Sequence, residues 1–203
     1  PGIKVDKGAK ALTGHPGETV TEGLDGLRER LEEYRGLGAR FAKWRAVIHI
    51  GDGIPTPFGI EANAHALARY ATLCQEADLV PSVEPEVLMD GHHALARCED
   101  VTSLVLASVF DQLTKHRLHL EGMVLKPNMV ISGLACPQQA SAEEIAEATV
   151  RCFRRHVPAA VPGIAFLSGG QSESQATANL NALNRIEGLP WQLSFSFGRA
   201  LQQ

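Results

Sequence analysis

The sequence has little that would direct it to a membrane, to nucleic acid or to an oxidising compartment. It contains no hydrophobic run long enough to span a bilayer and no signal-peptide hydrophobic region. Its net charge of −4 and pI near 6.1 argue against general binding to nucleic acid or anionic lipid, which requires a basic surface. We therefore expect a soluble, cytoplasmic protein that binds neither. Its 4 cysteines are widely spaced and include no Cys-x-x-Cys pair, which indicates a reducing compartment; they are Cys74, Cys98, Cys136 and Cys152.

Signs of a second domain are also absent. No linker, low-complexity segment or shift in composition interrupts the chain, and no Gly-x-Gly-x-x-Gly fingerprint follows the first strand-like segment. The 203 residues, 44% hydrophobic and 21% charged, suffice for one complete hydrophobic core. We predict a single domain over residues 1–203.

Strand-like and helical patterns alternate along the chain, which predicts a parallel sheet covered by helices. Helical spacing begins near Leu24, Ile60 and Val101, a capping-box pattern opens a helix at Ser141, and another helix follows Ser172. The predicted strands cover residues 2–6, 41–50, 79–88, 122–129, 163–168 and 191–197.

Charged residues at several different strand ends favour an α/β fold of the (β/α)₈ TIM-barrel type over a dinucleotide-binding sheet. About six βα units are recognisable, whereas a complete barrel has eight and usually needs about 250 residues. The chain begins inside a predicted strand without an initiating methionine and stops where another helix should start. We therefore expect the sequence to be cut at both ends.

Like-charged pairs occupy one face of two predicted strands. Lys43 and Arg45 lie two residues apart, as do Glu84 and Glu86, and residues at this spacing point the same way from a strand. Lys126 lies on the next strand along, followed by a proline. Buried charges are costly unless they pair, so these side chains indicate either an active site or a structural ion-pair network at one end of a barrel.

Lys126 is the candidate nucleophile. A neutral lysine amine can attack a carbonyl to form a Schiff base, and a nearby cation such as Lys43, with apolar neighbours, would disfavour the ammonium form. Glu84 suits general acid/base catalysis of the proton transfers. Glu86 is as consistent with an ion-pair partner that positions the lysines as with direct chemistry.

A candidate phosphate site follows the last two predicted strands. The segment Ser168-Gly-Gly opens a helix, so the backbone N–H groups at Gly169 can approach an anion at the helix N-terminus. Gly198 and Arg199 follow the next strand, and in (β/α)₈ enzymes the loops after neighbouring late strands often bind phosphate together. A plain tight turn is the alternative for the Ser-Gly-Gly segment.

A metal site is not predicted. His92 and His93 are adjacent and follow Asp90, but neighbouring residues point in different directions and no spaced third histidine completes a ligand set. Trp44 and Trp191 lie within strand patterns and are interpreted as packing residues.

Together these segments resemble class I, metal-independent fructose-1,6-bisphosphate aldolases, in order along the whole chain. The motifs that carry the resemblance are Gly2-Ile-Lys-Val-Asp-Lys-Gly8, Leu24-Asp-Gly-Leu27, Phe41-Ala-Lys-Trp-Arg45, Val83-Glu-Pro-Glu86, Leu125-Lys-Pro-Asn-Met129, Phe166-Leu-Ser-Gly-Gly-Gln-Ser172 and Phe197-Gly-Arg-Ala-Leu201.

The resemblance implies a TIM barrel that cleaves a phosphorylated sugar without a metal or organic cofactor. It implies that Lys126 is the Schiff-base lysine, Glu84 the main acid/base group and Lys43 the lysine beside the carbinolamine, with Glu86 in support. The substrate and phosphate residues that it implies are Lys4, Arg45 (towards the C6 phosphate), and Ser168, Gly169, Gly198 and Arg199 (at the C1 phosphate).

The resemblance also implies a homotetramer, together with two family strands before Pro1, one carrying a cleavage aspartate, and a tail beyond Gln203. Six strands cannot close an eight-stranded barrel. We therefore expect the 203-residue chain alone to have little activity. The alternatives are a catalytically silent fragment that binds phosphosugars or protein partners, and a different Schiff-base barrel enzyme.

Overall fold

The computed structural model describes residues 1–198 and follows the predicted alternation of strands and helices. A 3₁₀ turn at Leu120–Gly122 precedes the sixth strand. The strands are β1 (Gly2–Lys4), β2 (Ala9–Ala11), β3 (Thr19–Thr21), β4 (Phe41–Ile48), β5 (Val80–Val87), β6 (Val124–Leu125), β7 (Gly163–Phe166) and β8 (Gln192–Phe195). The helices are α1 (Leu27–Gly36), α2 (Pro57–Glu76), α3 (Leu95–Lys115), α4 (Ala142–His156) and α5 (Glu173–Asn184).

The main sheet contains six strands in the order β1-β4-β5-β6-β7-β8, and every neighbouring pair is parallel. Each strand therefore pairs with the next main-sheet strand in sequence, without the reversal of order that marks a dinucleotide-binding sheet. Helices α1 to α5 lie one in each of the five crossovers between these strands. The predicted parallel α/β architecture, with the strand order of a TIM barrel, is confirmed.

The hydrophobic core lies between the sheet and its helices. In β4, alternate residues including Trp44 are buried on the helix side, where the indole stacks on Tyr70 of α2 at 5.5 Å between ring centroids. Further along the sheet, Phe153 of α4 stacks on Phe166 of β7 at 5.7 Å. Because strand side chains alternate, this arrangement leaves Lys43 and Arg45 on the opposite face of β4.

The local signals at the helix starts are confirmed. Ser141 and Glu144 form a reciprocal capping box at the start of α4, and Ser172 caps α5 by accepting a hydrogen bond from Gln175 N. Trp44 and Trp191 are both buried, as their interpretation as packing residues requires. All four cysteines carry free thiols. Within residues 1–198, no helix combines the length and hydrophobicity needed to cross a bilayer.

Two predictions about the strands were wrong. The strand expected over residues 122–129 is reduced to two residues, because Pro127 has no N–H to donate and Pro85 on the neighbouring strand also lacks one. No strand was predicted between residue 6 and the helical spacing at Leu24, but this segment contains the antiparallel hairpin β2–β3. Its three-residue strands are too short to show a periodic pattern.

This hairpin is attached to the start of α2 by Glu18. The buried carboxylate accepts hydrogen bonds from Thr56 N at 2.8 Å and Thr56 Oγ1 at 2.6 Å, and the N-terminal end of the helix dipole also favours its negative charge. A Cβ added at Gly59 would lie 2.2 Å from Glu18 Oε1, so a larger residue there would displace the carboxylate. The hairpin is therefore a fixed part of the fold.

Replacing Glu18 by alanine should destabilise the protein by about 2 kcal/mol, because two hydrogen bonds to a buried carboxylate are lost. Urea denaturation measures the change. The matched control is Glu22→Ala, at an exposed position beside the same hairpin, which should change stability by no more than about 0.5 kcal/mol. Equal stability of the two variants would contradict the attachment.

Candidate active site

The site is assembled on the face of the sheet opposite the helices. In the register of β4 and β5, Arg45 lies opposite Glu84, and Val47 lies opposite Glu86. Lys126 N donates to Val83 O at 2.8 Å, which extends the β5–β6 ladder by one step and brings Lys126 level with Glu84. Arg45, Glu84 and Lys126 therefore form one row of charged residues across β4, β5 and β6.

Glu84 lies between two lysines. Its Oε1 is 3.3 Å from Lys126 Nζ and its Oε2 is 3.4 Å from Lys43 Nζ. Glu84 and Lys126 are both buried, with relative exposures of 3% and 8%. Oε2 accepts no hydrogen bond from the described residues, so the 3.4 Å contact is an ion pair without hydrogen-bond geometry.

Arg45 forms a second ion pair in the same row, from its Nε to Glu86 Oε2. Burial lowers the pKa of the guanidinium, but the hydrogen bond to Glu86 and the charges of Glu86, Glu84 and Asp6 outweigh burial, so its pKa lies above the ordinary value. Arg45 therefore remains a fixed cation at the mouth of the site. Glu86 therefore contacts Arg45, whereas the sequence pattern predicted that it positions the lysines; its role in the chemistry stays a prediction.

The predicted phosphate loop lies in the same cavity as these charges. Gly169 has a φ of +65°, and a Cβ added there would lie 2.5 Å from Met89 Cε, so both conformation and space require glycine. Gln171 donates through Nε2 to Ser168 O at 3.0 Å, a hydrogen bond within the loop. The cavity has a volume of about 410 Å³ and is lined by Lys43, Arg45, Glu84, Glu86, Lys126, Leu167, Ser168, Gly169, Ser196 and Gly198.

Among residues 1–198, one predicted site residue, Lys4, does not join that lining. Lys4 lies level with Lys43 on the edge strand β1, beside the cavity, and its Nζ is 2.7 Å from Asp6 Oδ1. Arg199 lies outside the described residues, so its role stays a prediction. The sequence reasoning missed Asp6 and Ser196. The available signals were the i, i+2 spacing of Lys4 and Asp6 and the position of Ser196 two residues before Gly198.

Other parts of the molecule offer a weaker case for chemistry. A larger groove of about 500 Å³ lies between α1 and α2, but Arg28 in its lining pairs with Glu76 and the neighbouring Arg69 is exposed. His92 Nδ1 donates to Ala135 O at 2.9 Å, in a loop contact. In residues 1–198 no three His, Cys, Asp or Glu side chains gather closely enough to hold a metal ion.

A barrel-type parallel sheet with a buried lysine beside a carboxylate, above a glycine-rich loop, is the arrangement expected of a Schiff-base enzyme. Comparison with known proteins identifies the family. The family model for class-I fructose-bisphosphate aldolase matches residues 1–203. The chain therefore belongs to the class I fructose-bisphosphate aldolase family, and the resemblance noted in its motifs is confirmed.

Similar proteins agree with this assignment. The probable fructose-bisphosphate aldolase class 1 of Xanthomonas campestris is 64% identical over 203 residues, which are 100% of this chain and 61% of that protein. The cytoplasmic isozyme 2 of fructose-bisphosphate aldolase from Pisum sativum is 58% identical over 204 aligned residues, covering 100% of this chain and 56% of the pea protein. The chain thus spans about 60% of the length of these relatives.

A solved structure supports the TIM-barrel fold. The fructose-bisphosphate aldolase of Plasmodium falciparum, solved in complex with TRAP and a small molecule inhibitor, superposes with a TM-score of 0.97 at 50% sequence identity. The match covers 100% of this chain and 59% of that chain. The six-stranded sheet therefore corresponds to a part of an aldolase barrel.

Gly169→Ala should weaken binding of inorganic phosphate by on the order of tenfold, because the new methyl group displaces Met89 or the loop and removes a charge-assisted hydrogen bond to the anion. Isothermal titration calorimetry measures the dissociation constant. Gly188→Ala is the matched control, with a similar φ of +71° but nothing within 4 Å of an added Cβ. If both substitutions weaken binding equally, backbone strain explains the loss and the loop assignment is wrong.

Proposed function

We propose that the full-length gene product is a class I fructose-bisphosphate aldolase, which reversibly cleaves fructose 1,6-bisphosphate to dihydroxyacetone phosphate and glyceraldehyde 3-phosphate. The observation that carries the proposal is the contact between the buried Lys126 amine and the Glu84 carboxylate inside a cavity that also contains the Ser168 loop. The family assignment supports the same reaction.

In the proposed mechanism, Lys126 Nζ attacks the C2 carbonyl of the open-chain ketose and forms a carbinolamine. Glu84 takes up a proton from the amine and returns one to the C2 hydroxyl, which leaves as water and gives an iminium. When the C3–C4 bond breaks, its electron pair moves to C3 and into the iminium, giving an enamine. The C4 hydroxyl gives its proton to the cleavage aspartate that the resemblance implies before Pro1 and becomes the aldehyde of glyceraldehyde 3-phosphate. Protonation of C3 and hydrolysis release dihydroxyacetone phosphate and the free lysine.

The remaining site residues have roles in binding and electrostatics. Lys43, 3.4 Å from Glu84, can stabilise the carboxylate and the developing hydroxyl of the carbinolamine. Glu86 positions Arg45 through their ion pair. We propose that the C1 phosphate binds at Ser168, Gly169, Gly198 and Arg199, and that Arg45 and Lys4 contact the substrate, Arg45 towards the C6 phosphate.

The same family assignment supports a cytoplasmic protein that takes part in glycolysis or gluconeogenesis, and a homotetramer is the proposed assembly. The pea relative is a cytoplasmic isozyme by name. No metal or organic cofactor is needed in this mechanism, because the iminium on Lys126 serves as the electron sink. A catalytically silent phosphosugar-binding protein is less well supported, since Lys126, Glu84 and Lys43 are all present and in contact.

Lys126→Met in the full-length gene product should lower kcat for fructose 1,6-bisphosphate cleavage by on the order of a thousandfold or more, because the nucleophile is lost. Lys115→Met, at an exposed position on α3, should leave the rate at the parental value. A coupled assay of triose phosphate release measures both. Persistent cleavage by the Lys126 variant would refute the proposal.

Glu84→Gln should slow the same reaction by roughly a hundredfold or more, since an amide cannot exchange protons as a carboxylate does. Adding a metal chelator to the parent enzyme should leave the rate unchanged. Loss of activity with the chelator, and its recovery on adding zinc, would instead place the protein among the metal-dependent aldolases.

A further inference from the structure

We infer that Asn128 is a positioning residue for the Schiff-base step, because its side chain replaces a missing backbone rung between β5 and β6 and so fixes Lys126 relative to Glu84 and Glu86. The inference rests on the proposed function. Asn128 is fully buried, at 0% exposure, and lies outside the cavity lining. Its proposed effect is on the rate of Schiff-base formation.

The backbone ladder between β5 and β6 ends at the reactive lysine. Lys126 N donates to Val83 O at 2.8 Å, but the next rung, from residue 85 to the Lys126 carbonyl, cannot form because Pro85 has no N–H. Residue 127 faces β7 instead, where Leu167 N donates to Pro127 O at 3.1 Å. Backbone pairing to β5 therefore stops at the Lys126 N–H, next to the two glutamates on that strand.

Asn128 supplies the next rung with its side chain. In this parallel register the Val87 N–H would donate to the backbone carbonyl of residue 128. It donates to Asn128 Oδ1 instead, at 3.0 Å. This hydrogen bond joins Val87, which follows Glu86, to Asn128, two residues after Lys126. The length of one amide side chain therefore sets the separation of β5 and β6 at this end.

The other end of the Asn128 amide is anchored as well. Its Nδ2 donates to Thr102 Oγ1 of α3 and to Met129 O, both at 3.1 Å. With donors and acceptor all occupied, the side chain has one orientation. Asn128 thus links the lysine strand, the glutamate strand and helix α3 at one buried point.

The opposite side of the site uses the same device. Where β1 and β4 separate, Arg45 N donates to Asp6 Oδ2 at 3.2 Å, so a side chain again takes the place of a backbone acceptor. A buried side chain therefore joins each strand pair beside the centre of the site at its carboxyl end. Asp6 joins β1 to β4, and Asn128 joins β6 to β5. Such bridges fix reacting groups at the precision of a few tenths of an ångström that catalysis needs.

The test compares Asn128→Ala with Asn63→Ala in the full-length gene product. Asn63 is a matched buried asparagine, 2% exposed, with hydrogen bonds to Thr21 N, Thr19 O and Gly59 O, and it lies away from the cavity. Thermal unfolding, inorganic phosphate binding and the single-turnover rate of borohydride trapping with dihydroxyacetone phosphate are measured for each variant.

We expect both variants to lose stability and to keep their affinity for inorganic phosphate, while only Asn128→Ala traps the adduct more slowly, by about tenfold or more. A parental trapping rate in Asn128→Ala, or equal slowing in Asn63→Ala, would overturn the inference. A parent protein that traps no adduct would instead refute the proposed function, and this inference with it.

A second pair of variants decides the question if Asn128→Ala does not fold. Thr102→Val removes the acceptor of Asn128 Nδ2, whereas Thr102→Ser keeps the hydroxyl. Slower trapping in Thr102→Val than in Thr102→Ser supports the positioning role, and equal rates in the two overturn it.

Discussion

The contact of one buried carboxylate with two lysines is the constraint on which the rest of the site depends. Glu84 is within 3.4 Å of both Lys43 and Lys126, and removing Glu84 would take away the anion that both amines face in a largely enclosed place. The charges are brought together by the parallel register of β4, β5 and β6, in which alternate residues share one face. The chemistry proposed for the amine therefore follows directly from strand register.

That register needs reinforcement because the strands carry prolines where the site is built. Pro85 removes the backbone donor to the Lys126 carbonyl and Pro127 removes one towards β7, so β6 is short on both sides. Buried side chains take over the lost function: Asn128 bonds to Val87 N, and Asp6 bonds to Arg45 N. The cavity lies where the backbone hydrogen bonds of these strands end. The Asn128 and Asp6 side chains join the strands at that end.

Local patterns were sufficient to predict the features that depend on spacing within one segment. The two-residue period of a strand predicted that Lys43 and Arg45 share one face, as do Glu84 and Glu86. The spacing of Ser141 and Glu144 likewise predicted the capping box. Asn128 could not be predicted in the same way, since its role is defined by a hydrogen bond across 41 residues of sequence. The β2–β3 hairpin was missed for a related reason. Glu18 attaches it to Thr56, which is 38 residues away in the sequence.

The central claim is that Lys126, rather than the neighbouring Lys43, forms the covalent intermediate. The most direct measurement is borohydride reduction of the full-length gene product with dihydroxyacetone phosphate, followed by proteolysis and mass spectrometry of the labelled peptide. The account predicts one adduct, on Lys126, which is the more deeply buried of the two lysines and lies in direct contact with Glu84 Oε1. An adduct on Lys43, or the absence of any adduct from an active preparation, would contradict it.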